Sequence, residues 1–138
     1  MIISKHNILG YFHTFNEKYF NGILPFPNFK IRHSYRILGF FSYDYDDDGS
    51  MLNETIEMSD NYDYTESQFR DVLVHEMIHF YLAYMGRDVE CTHGKEFRKM
   101  ASEFNSKYGM NITSTIDLTP YKIKKGKSKL MFTLSTLF

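Results

Sequence analysis

One stretch of this chain combines a strong helix start, two apolar stripes and a cluster of polar chemistry, and it restricts the fold more than any other. Thr65-Glu66-Ser67-Gln68 is a capping box and Gly86 supplies a C-terminal stop, so the pattern predicts a helix over 66–85. Phe69, Leu73, Met77 and Tyr81 form one apolar stripe along it, while His75 and His79 share another face with Val72. A helix with two such faces is wedged between other elements. Burial on most sides makes an unpaired histidine costly, which favours a partnered role for both imidazoles over an idle surface one.

His75 and His79 stand four residues apart, one above the other on the helix, so both rings can reach a single metal ion. Glu76 falls to the side of that pair. It is near enough to reach a water on the ion yet off the ligand axis, which suits a general base better than a ligand. A second amphipathic helix is marked by Phe97, Met100, Ala101, Phe104 and Tyr108 and stopped by Gly109. His93 stands at its entrance, as a capping residue or as a third ligand. Catalytic zinc takes three protein ligands and leaves one position open, and packing of the two helices would bring His93 toward the first pair. Cys91 is the lone cysteine, which excludes an intramolecular disulfide and a cysteine-based zinc ribbon, so Zn²⁺ here must rely on histidine and carboxylate.

The remaining segments describe an α+β chain of one domain's size, 138 residues. Ile8, Phe12, Phe15 and Tyr19 predict an amphipathic helix from Ser4, its N-cap, to about Asn21. Pro25 and Pro27 enforce an extended connection. Strands are expected at Phe29–His33, Ile37–Tyr45 and Ile56–Ser59, with Gly39 a bulge or a close-approach point. Links too short for helical crossovers suggest a small antiparallel sheet of about three strands. Asp44 to Gly49 opens like a calcium loop, but Thr55 stands where the twelfth-position glutamate belongs, so the segment reads as an acidic hairpin turn. The expected organisation is a core domain over 1–120 and a basic tail over 121–138, with Gly126 at the turn of a hairpin.

Charge is distributed in blocks. Residues 1–40 carry 5 Lys+Arg against 1 acid, residues 41–90 carry 2 against 13, and residues 91–138 carry 9 against 3. The basic N- and C-terminal regions keep DNA open as a partner. No run approaches the roughly 18 apolar residues of a membrane span, and the first residues lack the pattern of a signal peptide. A cytoplasmic protein without membrane contact is expected.

Several blocks resemble the SprT-like metallopeptidase family, the family of the Spartan-like protease domain that acts on DNA–protein crosslinks. The likeness spans roughly residues 8 to 110: Tyr19-Phe20-Asn21-Gly22-Ile23-Leu24-Pro25, Leu38-Gly39-Phe40-Phe41, Ile56-Glu57-Met58-Ser59, Val74-His75-Glu76-Met77-Ile78-His79, and His93-Gly94-Lys95-Glu96-Phe97. It implies a zincin-like fold, His75, His79 and His93 as zinc ligands, and Glu76 as the catalytic acid/base. The cysteine ribbon that many relatives append has no counterpart in Tyr121 to Phe138. The expected activity is that of a zinc-dependent endopeptidase on protein or peptide substrates. The competing expectation is a DNA-associated binding module whose zinc site is structural or vestigial; Glu76→Gln separates the two.

Overall fold

The spacing of Ile8, Phe12, Phe15 and Tyr19 produces α1, Lys5–Tyr19, in a computed structural model that describes residues 1–88 and 90–124. Ser4 Oγ accepts a hydrogen bond from the Asn7 N–H at 3.1 Å and closes the N-terminus. At the other end Asn16 donates to the Leu24 carbonyl at 2.8 Å and accepts from the Leu24 N–H at 3.1 Å. This clasp folds the following turn back, so that the Pro25–Pro27 segment enters the sheet at a fixed place.

The sheet holds β1 (Asn28–Arg32), β2 (Gly39–Tyr45) and β3 (Met51–Ser59) in the order β1-β3-β2. It is mixed, which corrects the antiparallel expectation: β2 pairs with β3 antiparallel, but β1 pairs with β3 parallel. The short link 33–38 does reverse the chain. It also spans two strand spacings, roughly 10 Å, so β3 slots between β1 and β2 instead of adding outside them. The acidic segment is the β2–β3 turn, where the Asp46 N–H donates to the Ser50 carbonyl at 2.8 Å and the Gly49 N–H to the Asp46 carbonyl at 2.9 Å. Its carboxylates serve the turn's own backbone, Asp46 accepting from Asp47 N–H and Asp48 from Ser50 N–H.

α2 is Glu66–Tyr84, with both halves of the capping box formed between Thr65 and Gln68. Met85 caps its C-terminus, and Gly86 follows with φ of 69°, a conformation that favours glycine. Every residue from Val72 to Phe80 is buried, because β2, β3 and α3 (Lys95–Tyr108) all pack on this helix. Phe80 stacks on Phe41 at 5.1 Å and on Phe12 at 6.4 Å, joining helix, sheet and α1 in one aromatic core. Full burial of each such ring contributes about 1.5–3 kcal/mol.

After α3 the chain is strapped back across the N-terminal half of α2. Asn105 clasps Ile112 through two hydrogen bonds of 2.9 and 2.8 Å, and Gln68 donates to the Pro120 carbonyl at 3.1 Å. The strap ends in β5 (Lys122–Ile123), paired antiparallel with β4 (Tyr62–Asp63), two short strands that residue pattern did not announce. The expected hairpin at Gly126 lies outside the described residues. No described helix is long and apolar enough to cross a membrane.

Candidate metal centre

α2 presents His75 and His79 toward the loop that joins it to α3, and His93 reaches in from that loop. His75 Nε2 and His93 Nε2 are 3.2 Å apart, and His79 Nε2 and His93 Nε2 are 3.1 Å apart. Nitrogens on a tetrahedral zinc, each about 2.0–2.1 Å from the ion, lie roughly 3.3 Å from one another. The trio is the one group of three or more histidine, cysteine or acidic residues among the described residues able to hold a metal. Asp44 to Asp48 form no such group.

The donor set also fits in its protonation. Burial first, and then the neighbouring imidazoles, push His75 down to about 3; burial and His93 push His79 down to about 4. Both rings are therefore neutral near pH 7, the form that offers a nitrogen lone pair to a metal. With Nε2 turned to the trio, the other ring nitrogen of His75 hydrogen-bonds the backbone of Thr113 in the strap, which fixes its tautomer and plane.

Phe97 forms the floor. It is fully buried, with ring centroids 4.8 Å from His75, 4.6 Å from His79 and 4.9 Å from His93. The His79 ring lies nearly parallel on it, at 22°. A rigid aromatic surface under all three imidazoles limits their tilt and keeps water from below.

The loop is organised around Asp88. Its carboxylate accepts from the Thr92 N–H at 3.0 Å and from Thr92 Oγ1 at 3.1 Å, and its carbonyl accepts from the Cys91 N–H at 3.2 Å. Arg87 pairs with Glu96 across the loop's base. Cys91 adopts φ of 53°, a backbone turn that aims the following residues back toward α2.

Glu76 lies beside the trio without joining it, its Oε2 4.0 Å from His75 Nε2. It is 4% exposed, and burial pushes its pKa up to about 8. The start of β2 is its lid. A Cβ added to Gly39 would stand 2.9 Å from Glu76 Oε2 and 2.9 Å from Val72 Cγ1, so only glycine lets the strand approach the carboxylate this closely. The close-approach reading of Gly39 holds, while the bulge falls further along, between Ser42 and Asp44.

Each histidine singled out from sequence is in this cluster, with Glu76 next to it. Sequence reasoning missed Phe97 as a shared floor, although its place one turn beyond His93 was the available signal. Thr113 and Asp88 act through backbone contacts and loop geometry, for which periodicity gives no signal.

An α+β fold with three helices among the described residues, three converging imidazoles and an adjacent buried carboxylate defines a candidate metal-dependent enzyme. The chain belongs to the SprT-like family, whose model matches residues 8–116, from α1 through most of the strap. Membership is consistent with an enzyme of metallopeptidase type. No curated protein and no solved structure matches the chain.

Proposed function

We propose that this protein is a zinc-dependent endopeptidase. The observation that carries the reading is the convergence of three imidazole nitrogens, two of them held neutral, beside a buried carboxylate that is not part of the cluster. His75, His79 and His93 would hold the ion. Zn²⁺, when bound, acidifies water and polarises a carbonyl, the two demands of amide hydrolysis. Burial holds the Glu76 carboxyl up to about 8 in the metal-free protein, and a cation held by the trio would favour its ionised form. Glu76 then takes a proton from the attacking water and returns it to the leaving amine. The β2 lid at Gly39 limits the access of other water to the carboxylate.

The substrate chain is best accommodated along β2, an edge strand of the sheet whose first residue lies on Glu76. An extended peptide adding to that edge would carry its carbonyls past the carboxylate. Proline substitutions along β2 that left cleavage unchanged would count against this placement.

The decisive experiment is zinc analysis alongside cleavage of an unfolded protein, wild type against Glu76→Gln, with and without single-stranded DNA. The expected outcome is a loss of cleavage of about 10²–10⁴-fold with zinc retained. Undiminished cleavage by the variant sinks the mechanism. Stimulation by DNA would place the substrate among DNA-associated proteins.

A further inference from the structure

The strap does not lie flush on α2. Between residues 111–121 and the helix remains a cavity of about 280 Å³, and the His75 ring forms part of its wall. That volume falls just below the range of roughly 300–1,000 Å³ typical of whole small-molecule sites, so it suits one long side chain. Val72, Ile112 and Ile116 supply apolar walls. Two carboxylates also line it, Asp71 from the helix and Asp117 from the strap.

We propose that this cavity receives the substrate side chain next to the scissile bond and selects lysine or arginine, with Asp71 and Asp117 as the specificity-determining residues. The inference rests on the peptidase reading, since His75 belongs both to the cavity wall and to the proposed metal site. A long basic side chain lays its methylenes on the apolar walls and carries its charge to the carboxylates, an arrangement that a shorter or acidic side chain cannot match. Asp117 has no cationic partner among the described residues; its carboxylate accepts from the Thr119 N–H, at 3.0 Å, and from the Thr119 hydroxyl. Asp71 is partly compensated, by Arg70 at 3.2 Å from outside the cavity. Burial outweighs that pairing and the hydrogen bond from the Asn111 backbone, and holds the Asp71 carboxyl above its ordinary range. Two acids beside apolar walls match an organic cation with a long apolar stem.

The test is a set of peptides identical except for lysine, norleucine or glutamate at the residue flanking the cleaved bond, each assayed for kcat/KM. Wild type should prefer lysine to norleucine by roughly tenfold, the size of about 1.4 kcal/mol, and disfavour glutamate. Asp71→Asn with Asp117→Asn should bring the lysine-to-norleucine ratio toward one. The ratio is taken within each variant, so a general loss of folding or metal divides out. Asp117→Lys, at an exposed position, should shift preference toward glutamate. Equal cleavage of lysine and norleucine peptides by wild type, or a lysine preference that survives both variants, overturns the assignment. If wild type cuts no peptide, the peptidase reading fails, and calorimetric binding of the same peptides to the zinc-loaded protein decides the cavity: tighter binding of the lysine peptide that Asp117→Lys abolishes supports it, and equal binding overturns it.

Discussion

The helix that carries His75 and His79 and the loop that carries His93 hold their imidazoles in different ways. On α2 the rings are 6% and 5% exposed, fixed by helix geometry, by Phe97 and, for His75, by the Thr113 backbone. His93 is exposed, and its position depends on the Asp88–Thr92 hydrogen bonds and the turn at Cys91. In the proposed site the rigid part would supply a preformed pair of donors and the base. The loop would supply a third donor able to adjust to an ion, so metal affinity and fold stability should respond to separate parts of the site.

Truncation tests this division most strongly. In the metal-free protein His75→Ala should destabilise by about 2–5 kcal/mol, the usual range for emptying a packed buried site, whereas His93→Ala should change stability by no more than about 0.5 kcal/mol. Both should weaken zinc binding by more than the roughly 10–100-fold that follows loss of a supporting outer group. Chemical denaturation and competitive zinc titration give both numbers. Equal destabilisation by the two variants would break the comparison.

Acidity should act through the helix. An unfolded histidine takes up its proton near pH 6.5, whereas folded His75 and His79 stay neutral down to about 3 and about 4. Each of the two therefore lowers the stability of the metal-free protein as pH drops, by up to about 1.4 kcal/mol per pH unit, while Glu76, held protonated up to about 8, acts in the opposite direction by up to the same slope over that range. Urea unfolding of chelator-treated Glu76→Gln protein between pH 7 and 5, where the opposing carboxyl is removed, reads the histidine slope, which adding His75→Ala should roughly halve.

Substitutions that touch neither histidine sharpen the picture further. Gly39→Ala should cost about 1–3 kcal/mol of stability by overpacking against Val72 and Glu76, and should depress peptide cleavage while zinc content stays full. Asp88→Ala removes the loop's clasp, worth about 1 kcal/mol, and should appear as a severalfold loss of zinc affinity with the metal-free melting temperature barely changed. A larger effect on folding than on affinity would mean that the loop supports the core after all.

Much of the site was legible because its signals are local. Thr65 to Gln68, the two stripes and Gly86 delimited α2 to within a residue, and the four-residue interval between His75 and His79 placed both rings on one face without knowledge of any neighbour. The sheet was less legible. Strand pattern located β1 and β2 closely but only the last four residues of β3, whose first residues, Met51 to Thr55, carry no apolar alternation; pairing is decided between segments far apart in the chain, and the insertion of β3 between the other two followed from the reach of residues 33–38 and the burial available on each side. β4 and β5, of two residues each, are too short to carry a period.

Helix boundaries, the shared face of His75 and His79, and the offset of Glu76 were determined by the sequence alone, since each follows from hydrogen bonding and rotation along one helix. The position of His93 over Phe97, the lid of Gly39 on Glu76 and the cavity under the strap were decided by tertiary structure. Each requires segments distant in sequence to pack at van der Waals distance, and only the balance of buried area against chain reach fixes which segments meet.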